Sequence, residues 1–243
     1  MKKYLLLFAC IATIIVASSC KRNVLKGEGA KTSSTPSVAS FSAIDINLSI
    51  KADITVQSGA QPSVQLNGYG NILKHIKTTV KNNTLYITSD LDDMWEIDCD
   101  DVTAHITVPS ITALNLTGAP DANMHGNITG TDFKLEISGA SKVIIDNINV
   151  DNFSSEVSGA ADIEVKGGTV KKASYEISGA GKILAFPLQA SETSASISGA
   201  GKSEVTALTK LKATISGAGT IKYKGHPEVT QEVSGVGTIS NAN

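Results

Sequence analysis

The densest run of side chains able to do chemistry is Asp90-Leu91-Asp92-Asp93-Met94-Trp95-Glu96-Ile97-Asp98-Cys99-Asp100-Asp101. It holds seven carboxylates in twelve residues around the only tryptophan of the chain. Carboxylate oxygens are what a hard cation such as Ca²⁺ requires, and Asp92, Asp93, Asp98 and Asp100 are the candidates to hold one. The spacing is not that of an EF-hand loop, which needs Gly at the sixth position and Glu at the twelfth. A solvated acidic loop is the simpler expectation. Trp95 among acids also has the make-up of a carbohydrate-contact platform, which gives the loop a second candidate role.

Other groups are less concentrated. Glu136, Glu156 and Glu176 recur at a constant interval. Stacked about 5 Å apart they would repel, and the neighbouring Lys142, Lys182 and Lys202 ladder is expected to relieve them. The four histidines, His75, His105, His125 and His226, stand singly, and the only arginine is Arg22. Polysaccharide lyases built on β-helices use an Arg or Lys base with Ca²⁺, and hydrolases use acids at set separations. No such constellation can be read here, so no catalytic residue and no cofactor is assigned, and a non-enzyme is expected.

The cysteines carry a different message. Lys2 and Lys3 precede an apolar run from Leu5 to Val16, followed by Ala17-Ser18-Ser19-Cys20. A charged start, a short apolar core and small residues before a cleavage point make residues 1–19 a secretory signal. The apolar run is too short for a comfortable membrane span. Cys20 directly after Ser18-Ser19 resembles the cysteine of a bacterial lipobox, which implies a lipidation site, and Lys21 rather than Asp after it points to the outer membrane. Cys10 leaves with the signal, so Cys99 has no internal disulfide partner and is expected to be a buried thiol. Residues 20–40, rich in Gly, Ser and Thr, read as a flexible tether. A net charge of −2 favours neither nucleic acid nor an acidic membrane surface as a partner. The expected partners are a membrane through the lipid anchor and an envelope or extracellular ligand.

What positions these residues is a repeat. Ile137-Ser138-Gly139-Ala140 returns as Val157-Ser158-Gly159-Ala160, Ile177-Ser178-Gly179-Ala180, Ile197-Ser198-Gly199-Ala200, Ile215-Ser216-Gly217-Ala218 and Val233-Ser234-Gly235-Val236. The serines are spaced 20, 20, 20, 18 and 18 residues apart. A fixed period of this length is a solenoid, each repeat one coil that buries its apolar face only against its neighbours. Five positions after each serine come Val143, Ile163, Ile183, Ser203, Ile221 and Ile239, with polar residues between. That alternation of β-branched and polar residues is strand periodicity. The coils are therefore strands joined by corners, about 4.8 Å apart, and the six steps span roughly 30 Å. Ser-Gly-Ala is the expected corner, with glycine for positive φ or close approach and the alanine filling the little room inside.

Upstream, Leu116-Thr117-Gly118-Ala119 is a degenerate copy and Ser58-Gly59-Ala60 a more diverged one. The expected domain is 41–240, with an irregular part at 41–116 and regular coils at 117–240. If its terminal coils are thinly capped, unpaired strand edges favour self-association.

Phe41-x-x-Ile44, Val64-Gln65-Leu66-Asn67-Gly68, Asn83-Thr84-Leu85-Tyr86-Ile87 and the tandem Ser-Gly-Ala-Gly coils resemble the head GIN domain family of auto-transporter adhesins over Phe41 to Ile239. The resemblance implies an all-β, single-stranded parallel β-helix, right-handed, with coils of about 18–20 residues, on a secreted or lipid-anchored envelope protein. It brings no binding residues with it. The function expected is a non-catalytic adhesin or scaffolding rod. The alternative is a glycan-binding or glycan-processing protein using the loop 90–101, with calcium.

Overall fold

The computed structural model describes residues 23–92 and 94–243; the segment 1–19 expected to be a signal, Cys20 and Asp93 lie outside them. The chain is a parallel β-solenoid, and every strand but two belongs to one continuous hydrogen-bonded sheet. The first half runs through β1 (Asn23–Leu25), β2 (Lys31–Ser34), β3 (Ala43–Ile46), β4 (Lys51–Val56) and β5 (Ser63–Tyr69). A one-turn helix α1 (Gly70–Leu73) leads to β6 (Ile76–Lys81), β7 (Thr84–Ser89), β8 (Trp95–Ile97), β9 (Thr103–Val108) and β10 (Ala113–Gly118). The repeats supply β11 (Asp121–Gly139), β12 (Lys142–Gly159), β13 (Asp162–Val165), β14 (Gly168–Gly179), β15 (Lys182–Leu184) and β16 (Leu188–Gly199). The series closes with β17 (Lys202–Thr206), β18 (Lys210–Gly217), β19 (Thr220–Lys224), β20 (Glu228–Gly235) and β21 (Thr238–Asn241).

Equivalent residues stack in register, as the period requires. On the first side Ile137, Val157, Ile177, Ile197, Ile215 and Val233 form one inward column. On the second, Val143, Ile163, Ile183, Ser203, Ile221 and Ile239 form another. A third, shorter side is made where Ile148 stacks between Ile128 and Gly168, and Val150 between Gly130 and Val170. This side carries no strand after β16, which is where the period falls from 20 to 18. In the core, Phe133 and Phe153 are followed in their column by Ala173, Thr193 and Leu211.

The corner is where expected, but its packing is not. Gly139, Gly159, Gly179 and Gly199 all have φ between +140° and +148°. The amide of each following alanine donates to the glycine carbonyl one coil earlier; Ala160 N to Gly139 O, for example, is 2.9 Å. The alanines point outward and are exposed. Small size is required one residue later, at the buried Ala161, Gly181, Gly201 and Gly219, where a Cβ on Gly201 would meet Ile177 Cγ2 at 2.8 Å. Gly118 stacks on Gly139 as a true copy. Ser58-Gly59-Ala60 does not; it is a separate turn closed by Ala60 N donating to Gln57 O.

The first half is the same solenoid threaded out of order. β7 and β10 flank β3 on the first side, and β9 and β11 flank β4 on the second, all parallel. The coil formed by β7 and β9 thus lies outside the one formed by β3 and β4. Beyond it the direction reverses: β6 pairs antiparallel with β7 through the Asn82-Asn83 turn, both at positive φ, and β5 pairs antiparallel with β9. Reversed strands deny a parallel edge to another chain.

Residues 23–34 correct the expectation of a flexible tether. β2 pairs antiparallel with β5, and β1 parallel with β8. Asn71 donates to Lys26 O at 2.7 Å and accepts from Glu28 N at 2.9 Å. Lys31 reaches Asp101 at 2.7 Å and lies over the Tyr69 ring. Polar composition concealed this because β2 is exposed along its whole length and is held by main-chain bonds, which leave no apolar alternation to read.

Candidate functional site

The acidic run connects β7 to β9 and is folded back as a ribbon. Its centre, β8, pairs with β1 so that Asn23 lies opposite Trp95, Val24 opposite Glu96 and Leu25 opposite Ile97. Leu25 and Ile97 pack against the core. Four of the carboxylates are occupied locally. Asp92 Oδ1 accepts from Met94 N at 3.1 Å, Asp98 Oδ1 accepts from Asp100 N at 3.3 Å, and Asp101 is paired with Lys31. Asp90 sits between His75 Nδ1 at 2.9 Å and Lys77 Nζ at 2.8 Å; hydrogen bonds from Lys77 and then His75 hold its carboxyl below the ordinary range. Among the described residues no three His, Cys, Asp or Glu converge as a metal site, so Asp92, Asp98 and Asp100 are not brought together there. Asp93 is outside the described residues. Cys99 is buried, and burial, followed by Asp98 and Asp100, pushes its thiol up to about 12.

Trp95 is brought to a site. Its ring lines an open groove of about 380 Å³ with Asn47, Ser49, Ser89, Asp92 and Thr117. These residues come from the corner between the first and second sides in three successive coils. A half-exposed indole beside hydroxyl, amide and carboxylate groups can stack an apolar face while its rim hydrogen-bonds.

A second groove, of about 450 Å³, runs along the outside of the first side. It is lined by Asp45, Asn115, Glu136, Glu156 and Glu176 in one column and by Thr117, Ser138, Ser158 and Ser178 in the next. Register places these side chains one coil apart from β3 through β14. Asn115 Oδ1 is buried there without a partner. The glutamates do stack, but the expected lysines are on the second side, where Lys202 pairs with its own neighbour Glu204 at 2.6 Å. Lys134 relieves them instead, reaching Glu136 at 2.7 Å and Glu156 at 3.1 Å. Those two hydrogen bonds, Glu136 first, raise the Lys134 pKa.

Three of the isolated histidines each face an aspartate brought from elsewhere in the chain: His75 with Asp90, His105 with Asp53 at 3.5 Å and His125 with Asp146 at 3.3 Å. Only a knowledge of which strands are neighbours could have found these pairs, since sequence separation hides them.

A family model described as "Putative auto-transporter adhesin, head GIN domain" matches residues 40–227. Three solved structures are similar. A putative adhesin from Bacteroides fragilis is 26% identical, covering 90% of this chain and all of its own, with a TM-score of 0.84. A putative adhesin from Parabacteroides distasonis is 24% identical over 90% of this chain and all of its own, TM-score 0.70. A putative lipid binding protein from the same species is 22% identical over 91% of this chain and all of its own, TM-score 0.71. No curated protein matches the chain. With three quarters of its length matched, the chain belongs to the head GIN domain family of putative auto-transporter adhesins.

Proposed function

We propose that this is a non-catalytic binding rod of the cell envelope, anchored by lipid at Cys20 in the outer membrane, that engages its ligand along the outer first side. The groove of stacked Glu and Ser columns carries the reading. A surface that repeats every coil, about 4.8 Å, suits an extended ligand such as a polymer or strand, and its rigidity spares the ordering cost that a flexible loop would incur on binding. The family and the name of the Bacteroides fragilis relative support an adhesive role. The test is a glycan and matrix-protein binding array on the chain with Cys20→Ala, beside a Glu136→Gln/Glu156→Gln/Glu176→Gln variant. Loss of the captured ligand in the triple variant is expected; binding that survives it counts against this face. The anchor is tested by fractionation: Cys20→Ala should release the protein from membranes.

The second reading is a glycan-binding or glycan-processing protein working through the loop 90–101, with Ca²⁺. The groove beside Trp95 favours it. Glycan capture that needs Ca²⁺ and is lost in Asp92→Ala/Trp95→Ala, or glycan turnover lost in the same variant, would put this reading first.

A further inference from the structure

We propose that the tip of the β1–β8 ribbon is a second membrane contact, with Val24, Met94 and Trp95 seated among the headgroups of a neutral phospholipid surface. The proposal rests on lipidation of Cys20. It starts from a covalent distance. Only Lys21 and Arg22 separate Cys20 from Asn23, which is paired opposite Trp95. Three steps of extended chain reach at most about 11 Å. Acyl chains on Cys20 therefore keep the Asn23 end of this ribbon close to the bilayer surface.

The ribbon is polarised to match. At its far end Leu25 and Ile97 pack against the core. At the end nearest Cys20 three large apolar side chains face solvent: Val24 is 46% exposed, Met94 70% and Trp95 45%. Asn23 N donates to Met94 O at 3.1 Å, which holds the two strands together at this tip. Indole and thioether groups at a water–hydrocarbon boundary gain apolar burial while the indole N–H stays wet. The multiple acyl chains expected on Cys20 make the anchor lasting by themselves, so the nearby apolar contact fixes the orientation of the rod rather than its residence.

Charge selects the surface. Asp92, Glu96, Asp98 and Asp100 border the tip and outnumber Lys21 and Arg22 beside the anchor, so anionic headgroups would be repelled within a Debye length, about 8–10 Å. A zwitterionic surface carries no such penalty. The orientation that follows puts the corner beside Trp95 toward the bilayer and leaves the first-side groove at Glu156 and Glu176, farther along the stack, free for a ligand.

Trp95, the only tryptophan, reports on this directly. The full lipidated chain is reconstituted into phosphatidylcholine vesicles, with brominated phosphatidylcholine replacing the ordinary lipid in a parallel sample. Trp95 emission should fall at least twofold in the brominated vesicles. In phosphatidylglycerol vesicles the quenching should be weaker. A Val24→Ser/Met94→Ser variant with unchanged thermal midpoint should float with the vesicles but lose most of the quenching. A chain that floats with Trp95 unquenched overturns the proposal and leaves the anchor standing. A chain that does not float overturns the anchor, and the proposal with it. Emission that responds to soluble glycans and not to bromolipid overturns it in favour of the glycan reading.

Discussion

At the scale of single residues, the corner glycines show what repetition demands. Gly179 has φ +148°, and a Cβ built there would overlap the carbonyl oxygen of Gly159 in the next coil. Such backbone costs a non-glycine residue about 1–3 kcal/mol, and the overlap must then open the Ala180–Gly159 hydrogen bond as well. Gly59, with φ +78°, has nothing within 4 Å of its virtual Cβ, so alanine there meets only the left-handed penalty of about 1–2 kcal/mol. Urea unfolding should therefore show Gly179→Ala more destabilised than Gly59→Ala; equal losses would mean that close approach between coils is not the constraint. Asp90 makes a second residue-scale prediction. Its carboxyl is held below the ordinary 3.8 by Lys77 and His75, so the folded chain binds fewer protons than the unfolded one. That stabilisation is present above pH 3.8 and is lost as pH falls through the lowered value. Urea midpoints of Asp90→Asn should decline less steeply below pH 3.8 than those of the parent. Cys99 makes a third. With its thiol pushed up to about 12 by burial, the reactive thiolate is scarce at neutral pH, and in a Cys10→Ser/Cys20→Ser chain a maleimide should label Cys99 in urea but not in the folded state.

Among the elements, the long strands β11, β12 and β14 carry an aromatic stack in the core. Phe133 stacks on Phe153, centroids 5.8 Å apart and planes 8° from parallel, with Tyr175 edge-on to Phe153 at 5.8 Å. Truncating the middle ring removes both contacts and leaves a cavity between coils that cannot close independently. Phe153→Ala should cost about 3–5 kcal/mol and Phe153→Leu clearly less, both read from urea midpoints. Similar losses for the two would mean that the coils collapse around the gap. The first and second sides were legible because Ser-Gly and the Ile and Val at fixed offsets repeat from coil to coil, broken only at Ser203 in the second column. The third was not: its inward residues pass from Ile148 to Gly168 to Leu188, a column with no constant residue type. The acidic ribbon was legible as a cluster, but its pairing was hidden, since β1 is three residues long and its partner lies seventy residues away. Lys134 rather than Lys142, Lys182 and Lys202 relieves the glutamates, because a recurring position does not say on which side of the coil a lysine points.

For the whole molecule, the two ends of the stack are built differently. One end is closed by the antiparallel β5, β6 and β2, which required reversals that no period announces. At the other, β20 and β21 close the stack with polar substitutions in the inward columns: Gln231 continues the column of Ala195 and Ala213, and Asn241 that of Val205 and Tyr223. Val233, aligned with the fully buried Ile215, is 44% exposed. In a solenoid each coil is stabilised by its own contacts and by those to its neighbours, so a coil with one neighbour and half-wetted apolar residues opens at lower free energy than one inside the stack. Amide hydrogen exchange should therefore be graded along the axis. Peptides from β12 and β14 should exchange slowest, those from β18 and β19 faster, and those from β20 and β21 fastest. The reversed strands at the other end predict an asymmetry: β7 and β9, although in an outer coil, are each flanked on both sides and should exchange as slowly as the central coils. Protection that falls equally at both ends would show that the antiparallel cap adds nothing. Protection that is uniform throughout would show that the solenoid opens as one unit, with no independent role for its coils.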